Sequence, residues 1–463
     1  MVHSAHTAPT QDNPLGYAPI PGLIQKFAIP SIISMLVAAA YNITDQIFIG
    51  HVVGMLGNGA TYVAFPIVTF TTAFALMAGV GTAANFNINI GAKNTEEARQ
   101  FIGTGLTMMA LLGTIIFCVV SLLKTPLLIL CGATENVLPL AQMYLGITVF
   151  GLPFSLFTTA GSHLIRADGS PTYSMVCTAA GAVLNIFLDA LFMLVFHWGI
   201  QGAALATVTS QLIAFLLCLS YFFRFKTIPI RKEMLGLKWD YMQKIAKLGT
   251  SNFINHTIMM LVNIVLNNSL RHYGALSIYG SDIPLAVSGV LAKLNTILAG
   301  FSVGLAQGCQ PIWGFNMGAK NYARVKETYK KAVTVALAIN LMFFALFQLF
   351  PRHIIRIFGS GDELYFQFGE QYLTIYMFMV CVHGVQPLTV NYFTGTGNVR
   401  QGIVLSLSRQ GLFLIPLLLV LPLQWGLNGV LFAGPVADFL AFILSIVLMI
   451  VSFRSLDARQ KLR

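Results

Sequence analysis

Five charged side chains, Asp45, Asp189, Lys293, Arg409 and Asp438, lie within long apolar stretches of this chain. A charge at the centre of a bilayer costs at least roughly 2.5–3.5 kcal/mol on insertion scales, so each is a functional candidate. Asp45 ends the string Tyr41-Asn42-Ile43-Thr44-Asp45, and Pro30 precedes it, removing a backbone hydrogen bond and permitting a bend. Asn185 and Asp189 are four residues apart and share one helical face. Thr207 follows in Gly202-Ala203-Ala204-Leu205-Ala206-Thr207. If these helices converge, two carboxylates, an amide and a hydroxyl surround one small volume. Two carboxylates in a low-dielectric site cannot both stay ionised cheaply, and the pair would exchange protons as one coupled unit. Such a site holds a proton near neutral pH, or collects Na+ with oxygen ligands. The plainer alternative is that Asn185 and Asp189 only hold helices together.

The other charges read differently. Lys293 and Asp438 are expected to form a buried structural ion pair, which offsets the cost of an isolated ammonium without necessarily adding stability. Arg409 is expected near a helix end, with its guanidinium snorkelling to the interface. Asn42 and Gln310 are further candidates for cavity lining or structural contacts. The six cysteines (Cys118, Cys131, Cys177, Cys218, Cys309, Cys381) are scattered, without a CxxC or a His/Cys cluster. Neither a disulfide framework nor a metal centre is implied, so the one metal expected is Na+ at Asp45, Asn185, Asp189 and Thr207. No catalytic residue and no cofactor beyond the coupling ion is expected.

The elements that must position these residues follow from composition. Of 463 residues, 56% are hydrophobic and 9% charged, and the mean hydropathy is +0.75. Soluble domains carry roughly 25% charged residues, and a soluble chain of this composition would expose far more apolar surface than monomers tolerate. The solvent is a bilayer. A hydrocarbon core of roughly 30 Å needs about 20 apolar residues per helix. About twelve such stretches are centred near residues 36, 73, 112, 150, 183, 211, 258, 298, 340, 380, 412 and 440.

The net charge of +11 could suggest nucleic acid, but its distribution does not. With a cytoplasmic amino terminus and alternating helices, all Lys and Arg residues except Lys124, Arg271, Arg352, Arg356 and the intramembrane Lys293 and Arg409 fall on the cytoplasmic side. This is the positive-inside pattern. It predicts a multi-pass protein of the inner (plasma) membrane with both termini cytoplasmic, in contact with lipid and not with nucleic acid. Residues 1–21, polar and Pro-rich, read as a disordered cytoplasmic tail without the features of a cleavable signal peptide. The expected organisation is an amino-terminal lobe over 22–224, a basic cytoplasmic linker over 225–243, a carboxy-terminal lobe over 244–454 and a tail over 455–463.

The lobes repeat. Gly91-Ala92-Lys93-Asn94 returns as Gly318-Ala319-Lys320-Asn321, a shift of 227, at which Gly81 also meets Gly308 and Asn89 meets Asn316. Trp198-Gly199 with Gly202 and Ala206 returns as Trp425-Gly426 with Gly429 and Ala433. At a shift of 228, Tyr144-Leu145, Ile147 and Phe150 match Tyr372-Leu373, Ile375 and Phe378. A repeat of six helices gives both lobes the same orientation, related by a pseudo-two-fold axis along the membrane normal. Two six-helix bundles around a central cavity have the geometry of alternating access. At the same shift Asn185, Asp189 and Thr207 become Leu412, Pro416 and Gly434, so the polar cluster is specific to the amino-terminal lobe. The Gly-Ala-Lys-Asn strings lack the spacing of a phosphate-binding loop and read as helix stops followed by amphipathic connectors.

These residues resemble the multidrug and toxic compound extrusion transporters, over residues 22 to 453. The carriers are Pro30, Tyr41-Asn42…Asp45, the doubled Gly-Ala-Lys-Asn, Arg166-Ala167-Asp168-Gly169, Leu184-Asn185…Asp189 and Gly202-Ala203-Ala204…Thr207. Within that family the chain looks most like the bacterial and archaeal branch of the staphylococcal multidrug exporter and the DNA-damage-inducible type. The resemblance implies an all-α protein of twelve helices in two lobes, acting as a monomer to export cationic, amphipathic compounds in exchange for H+ or Na+. It carries the cation site onto Asp45, Asn185, Asp189 and Thr207, with the first helix bending at Pro30. The rival within the wider superfamily is a flippase for lipid-linked oligosaccharides or other lipids, whose cavities tend to be cationic, whereas this cluster is acidic. A membrane enzyme would need a motif such as HExxH, which the sequence lacks, or GxSxG on a strand-to-helix turn; the spacing occurs at Gly300-Phe301-Ser302-Val303-Gly304, but inside an apolar helical stretch. The repeat and the buried carboxylates favour a transporter over a channel.

Overall fold

The architecture comes from a computed structural model, which describes residues 13–461 apart from 132, 134, 136, 281 and 359–362. Helices α1 to α6 span Ile20–Val52, Met55–Gly91, Thr95–Leu130, Leu138–Ala167, Pro171–Val195 and Gly199–Phe222. Helices α7 to α9 span Trp239–Ala275, Asp282–Gly318 and Tyr322–Leu349. Helix α10 is Glu363–Tyr376 with Val380–Gly395, bent by 45° between the two. Val399–Lys461 is continuous except at Gly426, whose φ of 54° breaks it into α11 (399–425) and α12 (427–461).

Among the described residues, nine helical segments are long and apolar enough to cross a bilayer, and the bent α10 makes a tenth. Val399–Lys461 counts once there but holds two spans. Helix α7 falls short because Asn252, Asn255, His256, Asn263, Asn267 and Asn268 interrupt its apolar run. All twelve sequence-read stretches therefore lie on helices, and the spans form two lobes, α1–α6 and α7–α12.

The repeated strings make repeated turns. Lys93 and Lys320 both take positive φ, 62° and 58°, just past the ends of α2 and α8. Trp198-Gly199 and Trp425-Gly426 likewise turn at φ of 53° and 54°. Both Gly-Ala-Lys-Asn strings stop a helix as expected, but α3 and α9 follow at once, with Asn94 accepting a hydrogen bond from the Glu97 amide at 3.4 Å. No separate amphipathic connector intervenes.

The lobes meet through α1 and α2 on one side and α8 and α7 on the other. Near the pseudo-two-fold axis the contacts are reciprocal. A methyl on Gly91 would lie 2.0 Å from the Phe315 carbonyl oxygen, and one on Gly318 would lie 1.8 Å from that of Ile88. Ile88 and Phe315 are themselves equivalent at the 227 shift. Only glycine permits such backbone approach. Along α1 and α8 the antiparallel contact continues through Ala28 with Gly308, Ile32 with Gly304 and Leu36 with Gly300. Along α2 and α7 it runs through Gly81 with Ile245 and Met77 with Gly249. Three hydrogen bonds reinforce this end: Arg166 Nη2 to Gln307 Oε1 at 3.2 Å, Lys238 Nζ to Gln100 Oε1 at 2.7 Å and Asn85 Nδ2 to the Lys244 carbonyl at 3.4 Å. All of these lie toward the end of the molecule that holds Asn13 and Lys461.

The segment before α1 departs from expectation. Residues 1–12 lie outside the described residues, but residues 13–21 are ordered rather than a disordered tail. Pro14–Tyr17 forms a helical turn capped by the Asn13 side chain, and Leu15 is buried. The Leu15 carbonyl accepts from Asn316 Nδ2 at 2.9 Å and Arg324 Nη2 donates to the Ala18 carbonyl at 2.6 Å. A polar, Pro-rich composition hid this because the partners lie some three hundred residues away.

Candidate cation site and interlobe cleft

The amino-lobe cluster assembles where α1, α5 and α6 pack together, with α4 beside α6. Asp45 and Asp189 come within hydrogen-bonding reach of each other. Asp189 and Asn185 are 0% and 1% exposed. Asp45 Oδ1, both Asp189 carboxylate oxygens and both polar atoms of Asn185 are buried without a donor or acceptor partner. Two carboxylates both accept, so their contact becomes a hydrogen bond only when one carries a proton; otherwise a cation must bridge them. Buried polar atoms are otherwise almost always satisfied. Five unsatisfied atoms gather at this point of the amino lobe.

Thr207 joins this group through Tyr144, whose hydroxyl it hydrogen-bonds and which lies in the field of Asp45 and Asp189. Tyr41 also faces both carboxylates. Sequence reasoning missed Tyr144 as a site residue; its signal was the Tyr144-Leu145 match to Tyr372-Leu373, read only as a repeat. Immediately after Asp189, α5 widens into a π-helical turn over Ala190–Val195. Such turns often mark functional positions because they redirect side chains within a helix. One helical turn beyond the carboxylates, Ile49, Met193 and Ala203 are fully buried against one another. They form an apolar cap on the side away from the termini. Pro30 lies inside α1, which stays continuous through it.

The carboxy-lobe charges correct the sequence reading. Asp438 does not pair with Lys293. It forms an ion pair with Arg409 Nε, and His383 Nδ1 approaches at 3.5 Å. Arg409 is not at a helix end but in the middle of α11, within the π-helical turn Ser408–Leu414. That turn swings the guanidinium inward to the carboxylate of α12. Lys293 is exposed and makes no ion pair with the other described residues. Periodicity could not separate these outcomes, because both pairings join mid-span residues.

Gln310 is buried against Gly395 of α10, a packing position, whereas Asn42 is exposed and donates to the Ala38 carbonyl at 2.7 Å. Beyond the glycine contacts the interlobe stripes open. Gln46 on α1, Lys293 on α8, Phe70 on α2 and Met260 on α7 continue them as exposed side chains. Phe70, Phe74 and Phe253 meet edge-to-face where α2 and α7 begin to part. These exposed side chains lie toward the end away from Asn13 and Lys461. No group of three or more His, Cys, Asp or Glu side chains able to hold a metal ion occurs among the described residues.

At the terminal end, Asp168 closes α4. Its carboxylate accepts from the Tyr221 hydroxyl at 2.7 Å and from the Lys226 and Thr227 amides at 2.7 and 2.8 Å, fixing the start of the linker. Burial pushes this carboxyl above the ordinary range, against the pull of those donors.

The MatE family profile matches twice, over residues 30–191 and 258–420, two segments starting 228 residues apart. The chain belongs to the MatE family. Its two matches coincide with the two lobes and with the internal shift of the sequence. Members are transporters and not enzymes, so the protein is a multi-pass membrane transporter. The multidrug export protein MepA of Staphylococcus aureus strain N315 is 24% identical over 434 residues, 93% of this chain and 94% of that protein. The MepA of Staphylococcus haemolyticus is 26% identical over 415 residues, 89% of each. Among solved structures, the MATE multidrug transporter DinF-BH, solved in complex with a ligand, is 34% identical, with a TM-score of 0.85 over 93% of this chain and 95% of that one. An outward-facing multidrug resistance MATE transporter is 21% identical with a TM-score of 0.90, over 98% and 100%, and shows the shared fold.

Proposed function

We propose that this MatE protein is an efflux antiporter of the plasma membrane, exporting amphipathic compounds, cations among them, in exchange for H+ or Na+ bound at Asp45, Asn185, Asp189 and Thr207. The observation that carries this reading is the pair of touching carboxylates with no donor between them, beside the buried Asn185. A proton or Na+ supplies the missing charge. When it leaves, the carboxylates repel, and α1, which carries both Asp45 and the interlobe contacts of Ala28, Ile32 and Leu36, transmits the change to the other lobe. The Lys and Arg distribution supports cytoplasmic termini, which makes the cleft outward-facing. The names of the MepA relatives and of DinF-BH support a drug-like cargo. The exposed Lys293 is the one feature that favours the lipid flippase, whereas the acidic cluster favours cation exchange.

The test uses purified protein in liposomes with ethidium, comparing an imposed pH gradient with an imposed Na+ gradient. Transport driven by one of them supports antiport and names the ion. No transport under either gradient, with lipid-linked sugar translocated instead, would replace this reading with the flippase.

A further inference from the structure

Lys293 lies on the stripe of α8 that faces the amino lobe. It precedes Gly300 and Gly304 by seven and eleven residues, close to two and three turns of a 3.6-residue helix. Those glycines pack on Leu36 and Ile32 of α1. The antiparallel register therefore continues from Gly300 opposite Leu36 to Lys293 opposite Ile43, one turn before the exposed Gln46. At this level the helices have parted, so Lys293 points into the cleft rather than into lipid. It makes no ion pair with the described residues. Asp45, on the same helix as Ile43, turns the other way, toward Asp189 on α5. The cleft wall thus presents a cation, while the carboxylates sit behind α1. Across the cleft, Phe70 is 49% exposed and packs edge-to-face with Phe74 and Phe253.

We infer that Lys293 is a specificity-determining residue that binds an anionic group, carboxylate, sulfonate or phosphate, on an aromatic amphipathic ligand whose rings lie toward the Phe70 cluster. This rests on the transport reading above and narrows its substrate class from plain cations to compounds that also carry an acid. An uncompensated ammonium in a half-desolvated cleft rewards a ligand that brings the counter-charge, and a ligand without one leaves it unpaired.

Equilibrium binding to the purified protein in phosphatidylcholine nanodiscs, read by fluorescence anisotropy, tests this with two dyes of one ring system. Rhodamine 6G is an ethyl ester and a monocation; rhodamine 19 is its free acid and a zwitterion. Wild-type protein should bind rhodamine 19 about tenfold more tightly, the worth of one hydrogen-bonded charge. Lys293→Met should abolish that preference with an unchanged melting curve, and Lys293→Arg should keep it. Equal affinity for both dyes in the wild type, or an undiminished preference in Lys293→Met, overturns the proposal. A repeat with phosphatidylglycerol in the nanodiscs separates two sources of the anion. Weakened rhodamine 19 binding in the wild type alone assigns the site to a lipid phosphate, and unchanged binding assigns it to a soluble solute. Because no ion gradient is involved, intact discrimination with failed gradient-driven transport would count against the antiport reading alone.

Discussion

The two lobes share a scaffold and treat buried charge in opposite ways. In the amino lobe, Asp45 and Asp189 touch with no donor to satisfy them. In the carboxy lobe, Asp438 holds Arg409 and has His383 at 3.5 Å. Both sites use a π-helical turn, after Asp189 on α5 and around Arg409 on the equivalent α11. One lobe carries its counter-cation covalently; under the antiport proposal the other would have to fetch it. On that proposal the same fold yields a permanent ion pair on one side and an exchangeable site on the other.

The comparison breaks most visibly if the carboxy-lobe pair is opened. Asp438→Asn should lower stability by about 3–5 kcal/mol, because Arg409 stays buried without its partner. Thermal unfolding in detergent measures this, and Arg409→Met with Asp438→Leu should recover most of the loss. A stable single variant would mean that the pair is solvated. Asp189→Asn should act the other way: normal yield and melting, with gradient-driven efflux down about a hundredfold, the upper range of coupling between two sites. Efflux at wild-type rate would remove the cluster from the coupling mechanism.

Much of this contrast was legible in the residues, and its limits are physical. Asp45, Asn185, Asp189 and Thr207 could be grouped because two of them lie i, i+4 on one helix and because the other lobe has Leu412, Pro416 and Gly434 in their place. The repeated Gly-Ala-Lys-Asn strings were legible as helix stops, and the repeated Trp-Gly strings marked equivalent positions whose glycines, Gly199 and Gly426, both take positive φ. Pairing between helices leaves none. Lys293 and Arg409 are both mid-span cations, and only the π-turn on α11 decides which one reaches Asp438. Leu15 likewise gives no sign in sequence that its carbonyl meets Asn316.

The reciprocal glycines offer a gentler test of the symmetry. Gly318→Ala places a methyl against the Ile88 carbonyl and Gly91→Ala places one against that of Phe315. Each should weaken closure at the terminal end by about 1–3 kcal/mol, as overpacking does. The readout is thiol labelling of a cysteine introduced at the buried Ile90, which should rise in the Gly318→Ala background. Equal gains from both glycines would support a shared axis, and a gain from one alone would show that the lobes close unequally.

The smallest effect concerns the turns that end α4 and α10. Gly169 and Gly397 take φ of 82° and 81°, and the residues before them are Asp168 and Thr396. Thr396 spends its hydroxyl on the Tyr392 carbonyl of its own helix at 2.8 Å. Asp168 instead reaches the Lys226 and Thr227 amides at the start of the interlobe linker. The equivalent turn of the carboxy lobe carries no carboxylate. Asp168→Asn keeps the size but offers only one accepting oxygen for three donors, at a cost of about 1 kcal/mol for each hydrogen bond lost. Thr396→Val should lose only local bonds, to the Tyr392 carbonyl and from Asn398 Nδ2, and leave the linker untouched. Limited proteolysis within residues 225–243 separates the two: cleavage should quicken severalfold in Asp168→Asn and stay unchanged in Thr396→Val. Equal cleavage in both would mean that the linker is held by its own packing, with Ile228 buried beneath it, rather than by the carboxylate.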